Sequence, residues 1–430
     1  MRLLLITFFL TALFSCKPRT EQKIADEIPV TDPASAGFSA DSLEKIGPLV
    51  QEYMDKQSIS GATVLIARQG KIVFEQAFGY DNLADSTPMT TDKIFRVASM
   101  TKPIVSAAIL RLYENGKLNF SDKLSKYIPE FADVQVLDTF NREDTTWTTK
   151  PAEREITIHD LLTHTSGINY GFTSPVYSAI YGKLKVPDLA HPFDFTIHEG
   201  VKRLAKAPLA HQPGQKWTYG LSTDVLGAVV EVVSGQSLGE YISENILEPL
   251  KLEHSFFWLP DSLVRDLATF YIPSDSGLVV IPNEGLGFFR PDFPVSGEKK
   301  YYSGGSGMSM TARDYFVFCQ AILNGGIYGE TRILNEETVT LMRTNQISSI
   351  LGDSGFGFSY GYGVATKDSD NPIKVKKGKF HWGGAFHTTF WVDPSREIIV
   401  IMMSQVVSSP TKNVMDAKLE AIVNGAYLGK

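Results

Sequence analysis

Two hairpin signals lie at opposite ends of this chain, and together they limit the folds it can adopt. Near the start, β-rich runs at 62–67 and 71–78 are joined by Arg68-Gln69-Gly70. Near the end, runs at 388–392 and 397–404 are joined by Asp393-Pro394-Ser395-Arg396. Both hairpins can lie in one antiparallel sheet. A helical pattern over 39–57, with Leu43, Ile46, Leu49, Val50 and Tyr53 on one face, and a closing helix at about 413–427 would cover that sheet. Helical patterns dominate between about 118 and 283, at 158–163, 201–205, 225–233 and 238–246. The expected fold is α/β of the α+β kind: an antiparallel sheet flanked by N- and C-terminal helices, with a mainly helical insertion.

A chain of 430 residues is long enough for one large catalytic unit or two medium domains, and 43% hydrophobic with 21% charged residues is the make-up of a globular protein. Its net charge of -7 argues against nucleic acid as a partner, because neutralising phosphates needs a basic face. The first sixteen residues carry a targeting signal: Arg2, an apolar stretch over 3–14, then Ser15-Cys16. That stretch is too short for a permanent membrane span. Its end resembles a bacterial lipobox, which would make Cys16 the lipidated first residue of an exported, envelope-anchored protein; Phe14 is bulky for that position, so ordinary cleavage and secretion, or no cleavage, are the alternatives. Residues 17–37 read as a tether and 38–430 as the domain. The other cysteine, Cys319, sits among apolar residues at helical spacing and reads as an inert buried thiol.

A serine hydroxyl is a weak nucleophile and needs a base within hydrogen-bond reach. Serine and lysine at i and i+3 share one helix face. The pattern occurs at Ser42/Lys45, Ser99/Lys102, Ser296/Lys299 and Ser409/Lys412. Ser42 lies on a charged helix face, Ser296 in Gly297-Glu298-Lys299-Lys300, and Ser409 before Pro410. Ser99 instead opens a strongly apolar helix that ends at Asn115-Gly116. On local sequence a helix-capping serine fits Ser99 as well as a nucleophile does.

Longer blocks separate the two readings. They are Phe95-Arg96-Val97-Ala98-Ser99-Met100-Thr101-Lys102-Pro103, Ile158-His159-Asp160-Leu161-Leu162-Thr163-His164-Thr165-Ser166-Gly167, Pro213-Gly214-Gln215-Lys216-Trp217-Thr218-Tyr219, Gly307-Met308-Ser309-Met310-Thr311-Ala312-Arg313-Asp314-Tyr315 and His381-Trp382-Gly383-Gly384. In this order they resemble the serine β-lactamase and penicillin-binding family, in the branch of class C β-lactamases, D-alanyl-D-alanine peptidases and related esterases.

The resemblance implies Ser99 as nucleophile and Lys102 with Tyr219 as the proton relay. It also implies an oxyanion hole from the N–H groups of Ser99 and Gly384, with His381, Trp382 and Gly383 along the cleft. Two departures stand out. Tyr219-Gly220-Leu221 replaces the family's Y-x-N, and His381-Trp382-Gly383 replaces its K-T-G strand, so an amide and a cation that grip polar substrates are gone; a protonated His381 would replace the cation in part. Both changes resemble the esterase-like members. The implied activity is hydrolysis of an ester or amide, the partner being a small-molecule or peptidoglycan-like acyl substrate. D-alanyl peptidase, β-lactamase and non-catalytic penicillin sensor are the alternatives, and aromatic packing is the alternative role for Tyr219.

No cofactor is expected, and the 8 histidines show no metal-ligand spacing such as H-E-x-x-H. Three features read as structural. Tyr80-Asp81-Asn82 and Gly352-Asp353-Ser354-Gly355 read as turns, and His164 as the holder of a loop capped by Gly167.

Overall fold

The structure, a computed structural model, describes residues 28–282, 285, 290–369, 371 and 373–429. The targeting segment, Cys16 and the first part of the tether lie outside the described residues.

Strand Gly61–Arg68 is apolar along nearly its whole length, as is Ile398–Met403, so each must be covered on both faces. They pair antiparallel from Thr63↔Met403 to Arg68↔Ile398, which joins the N-terminal hairpin to the C-terminal one. The resulting sheet has eight strands in the order Phe356–Phe358, Gly363–Ala365, Phe380–Gly384, Thr388–Asp393, Ile398–Met403, Gly61–Arg68, Lys71–Asn82 and Thr87–Pro88. Side chains alternate across it. Val64, Ile66, Val400 and Met402 pack under helices Ile46–Asp55 and Lys412–Ala426, with Tyr53 and Leu419. Leu65, Ile399, Ile401 and Met403 face the other way, onto Val105, Ile109 and Phe316.

Helix Thr101–Glu114 runs through this second core, buried on almost every side. It stops where Gly116 turns to φ +67° and the Lys117 N–H reaches back to the Leu112 carbonyl. The insertion holds helices Ile158–Leu162, Pro175–Leu184, Ile197–Leu204, Ser222–Ser234 and Leu238–Ile242. Capping boxes start three of them, at Thr157/Asp160, Thr196/Glu199 and Ser237/Glu240. It also contains hairpins at Gln135–Asn141/Thr146–Pro151 and Tyr271–Ser274/Gly277–Val280.

Three expectations need correction. The helix over 39–57 is two, Ala40–Leu43 and Ile46–Asp55. Pro48 has no N–H to give the Glu44 carbonyl, so the ladder breaks there. Tyr80-Asp81-Asn82 is not a turn. It ends strand Lys71–Asn82, where Asp81 is buried, pairs with Lys93 and accepts the Thr269 N–H. Residues 28–37 do not hang free as tether either. Ile28 enters the core, and Pro29 and Thr31 exchange backbone bonds with Ile72.

Candidate active site

Ser99 stands in a tight turn, Ala98–Met100, between strand Phe95–Arg96 and helix Thr101–Glu114. That strand is pinned by Ser309–Met310 on one edge and by the Arg96 guanidinium, which is buried and donates to the Phe293, Ala268 and Pro291 carbonyls. Burial lowers the Arg96 pKa to about 9, so it remains a cation. Ala98, ahead of the serine, has φ +46°, a left-handed conformation that costs a non-glycine residue of order 1 kcal/mol and that a tightly built surround must hold in place. The helix N-cap position is Met100 and has no side-chain cap, so Ser99 is not the helix cap. Its Oγ instead meets Lys102.

Lys102 is 1% exposed, and its Nζ donates to Ser99 Oγ (3.1 Å), to the hydroxyl oxygen of Tyr170 (2.9 Å) and to the Gly305 carbonyl (2.8 Å). An ammonium has three protons, and all three are taken. In the neutral amine, bonds to Tyr170 and Gly305 would leave the lone pair aimed at Ser99. Beneath lies Asp224, buried, accepting from Ser303 Oγ (2.7 Å). Burial raises its pKa, against the Ser303 hydrogen bond and the nearby Lys102 charge. Burial also raises the pKa of Tyr170 well above 10, so that phenol keeps its proton.

Tyr219 is at the site, but its ring rather than its hydroxyl faces the lysine, with Nζ 4.7 Å from the ring centroid. Its hydroxyl accepts from the Trp382 indole N–H at 3.4 Å. Trp217, Phe358 and His164 complete an aromatic wall around it. His164 is buried, burial depresses its pKa, and its Nδ1 accepts the Gly220 N–H, which holds the loop bearing Tyr219. Leu221, where the resemblance calls for an amide, belongs to the core.

Strand Phe380–Gly384 forms the opposite wall, and its alternation divides the expected cleft residues. Gly384 comes so close to the serine turn that an added Cβ would lie 2.3 Å from the Val97 carbonyl oxygen. Trp382 shares that face. Gly383 points the other way: an added Cβ there would lie 3.3 Å from Lys412 Nζ on the C-terminal helix. His381 follows Gly383 onto that face, pairing with Trp391, which is part of the helix-covered core. Desolvation, reinforced by Lys379 and Lys412, lowers its pKa to about 3. The expectation that His381 lines the cleft as a part-time cation is therefore overturned: it is neutral, and it lies behind the strand.

Ser99 opens on a narrow cavity of about 40 Å³ lined by Phe172, Leu189, Ala190, Phe270, Phe293 and Phe386, together with Arg96 and Arg290. Local sequence did not disclose Tyr170, Asp224 or Gly305. The single available signal was Ser303-Gly304-Gly305-Ser306, a small-residue loop just ahead of the block starting at Gly307. Cys319 is fully buried with a raised pKa, as an inert thiol should be.

A Ser-x-x-Lys pair with its lysine buried, set between an antiparallel sheet and a mainly helical region, is the arrangement of the β-lactamase and transpeptidase fold. The chain belongs to the Beta-lactamase family, whose model matches residues 47–425. It is 30% identical to Esterase EstB of Burkholderia gladioli, over 87% of this chain and 93% of that one. It is 28% identical to a putative D-alanyl-D-alanine carboxypeptidase of Escherichia coli K12, over 88% and 86%. Among solved structures, EstCE1, a hydrolase with promiscuous acyltransferase activity, superposes with a TM-score of 0.74 at 27% identity, over 90% of this chain and 99% of that one.

Proposed function

We propose that the protein is a serine hydrolase of esterase type, working through an acyl-enzyme on Ser99. The observation that carries this reading is the 3.1 Å contact between Ser99 Oγ and the buried Lys102 amine, at the mouth of an apolar cavity. Lys102, as the neutral amine, takes the proton from Ser99 as Oγ adds to the substrate carbonyl. The N–H groups of Ser99 and Gly384 receive the negative oxygen, and one such donor contributes on the order of 3 kcal/mol to the transition state. As the tetrahedral intermediate collapses, the alkoxide leaves with the proton that Lys102 took from Ser99, the amine staying in place through its bonds to Tyr170 and Gly305. Water then attacks the acyl-enzyme by the same route in reverse.

Substrate preference follows from the walls. The cavity is lined by phenylalanines and the opposite side by Trp382 and Tyr219, while Leu221 and Trp382 stand where the family places polar grips. An apolar acyl group suits this site better than a peptide or lactam. The likeness to EstB and EstCE1 supports the same reading.

The test joins nucleophile to ligand class. Exposure to a fluorophosphonate, followed by intact-mass and peptide analysis, should show one adduct at Ser99 that Lys102→Ala slows strongly; the protein should cleave a short-chain nitrophenyl ester and turn over nitrocefin poorly. Rapid nitrocefin turnover would favour the lactamase reading, and an adduct with penicillin that never releases would favour a sensor.

For location, the chain is proposed to be exported and lipid-anchored at Cys16, on the strength of Arg2, the apolar stretch and Ser15-Cys16. Among the described residues no helix is long and apolar enough to cross a membrane. Labelling with a fatty-acid probe should be lost in Cys16→Ala; equal labelling refutes the anchor.

A further inference from the structure

Asp188 takes no part in the chemistry above, yet it is 5% exposed and lies between two walls of the acyl cavity. One carboxylate oxygen accepts the Gly171 N–H and the other the Phe172 N–H, both at 2.9 Å. The fit is tight, since a Cβ added to Gly171 would lie 2.7 Å from Asp188 Oδ2. The turn held in this way carries Tyr170, the acceptor of a Lys102 bond, and Phe172, which stacks on Tyr170 at 4.7 Å and lines the cavity. On its own strand of chain, Asp188 is followed by Leu189 and Ala190, which line the same cavity. The Ala190 N–H donates to Ser306, next to the Gly305 carbonyl that takes another Lys102 proton.

We propose that Asp188 is a positioning residue that clamps the 170–172 turn to the 188–190 segment, setting Tyr170 on Lys102 and shaping the acyl cavity. The inference rests on the serine-hydrolase reading of the site. Its effect is largest for esters whose acyl chain reaches Phe172.

The clamp is sensitive to pH. Desolvation, with a further push from Asp224, raises the Asp188 pKa to about 6, against the Gly171 and Phe172 bonds that favour the carboxylate. The titratable and charged groups around it are Tyr170, Tyr181 on helix Pro175–Leu184, Asp224 on helix Ser222–Ser234, and Tyr301, with Lys185, His191 and Arg203 lining the same pocket as Asp188. Above that pH both oxygens accept; below it, one becomes a hydroxyl and the turn loosens. Stability moves in the opposite sense. Between about 6 and the ordinary 3.8 the folded chain holds a proton that the unfolded chain does not, so this group stabilises the fold as pH falls while activity drops.

The experiment compares kcat/KM for acetyl and hexanoyl nitrophenyl esters across pH in the wild type, Asp188→Asn and Gly171→Ala, with thermal midpoints recorded alongside. In Asp188→Asn the hexanoyl ester should lose about tenfold or more at alkaline pH, as expected for one charge-assisted hydrogen bond, and the acetyl ester should lose less. The inflection near pH 6 should disappear. Gly171→Ala, which keeps the carboxylate but displaces it, should show the same chain-length bias. A wild-type pH profile in Asp188→Asn overturns the inference, as does an equal loss on both esters with the inflection intact. Fluorophosphonate labelling of the wild type separates the two levels: an unlabelled Ser99 overturns the hydrolase reading itself.

Discussion

At the scale of single residues, the site depends on how close backbone can come to backbone. Gly384 has no side chain because the Val97 carbonyl occupies the space a Cβ would need, and Thr388 Oγ1 crowds the same point at 2.3 Å. Alanine at 384 would push the strand away from the serine turn and so, on the proposed mechanism, carry its N–H away from the developing oxyanion. Gly384→Ala should therefore lower kcat by about 10²-fold or more with KM little changed, the loss expected when one oxyanion donor is removed. Steady-state kinetics on the nitrophenyl ester measure it, and an unaltered kcat would remove Gly384 from the hole. Tyr219 shows what motif reading cannot supply. Its position beside the lysine was legible from Pro213-Gly214-Gln215-Lys216-Trp217-Thr218-Tyr219, but whether its ring or its hydroxyl meets Lys102 depends on side-chain torsions among neighbours such as Trp382, which come together only in the fold.

At the scale of elements, the chain declares its strands and helices through periodicity and caps. The paired hairpins and the helix behind Ser99 stand where alternation and apolar runs place them. What periodicity could not give is the face each residue of strand Phe380–Gly384 presents. A run of His-Trp-Gly-Gly carries no hydrophobic alternation to set its register, so only the resemblance to the K-T-G strand placed His381 in the cleft. Only pairing with Thr388–Asp393, which puts His381 opposite Trp391, turns it away from the serine. The break at Glu44–Lys45, four residues ahead of Pro48 whose missing N–H leaves the Glu44 carbonyl without its helical donor, was signalled in the sequence by that proline, but the apolar face running through the segment masked it.

At the scale of the whole molecule, buried histidines tie stability to pH. His387 is fully buried at the turn after Gly384, and desolvation, reinforced by Lys412, lowers its pKa to about 3. Folded, it is neutral; unfolded, it takes a proton below 6.5. Stability therefore falls as pH drops from about 6.5 toward 3, by about 2 kcal/mol at pH 5 from this residue if its full shift is felt. His387→Asn, which tolerates the φ of +61°, should flatten the fall in urea midpoint between pH 7 and 5, and an unchanged slope would assign the effect elsewhere. His381 acts in the same direction, so part of the slope should persist.

The amino-acid order alone was enough for the sheet joined from both chain ends and for the helical middle, which are local or periodic properties written in spacing and residue type. The serine with its lysine was legible only through the ordered blocks of the family resemblance, since four Ser-x-x-Lys spacings occur. The tertiary structure alone decided that Tyr170 and Gly305 share Lys102 with Ser99, that Asp224 lies beneath, that Asp188 ties two walls together, and that His381 faces away. Those residues are distant in the chain and meet only after the core closes, and burial, which sets their charge states, exists only in the folded chain.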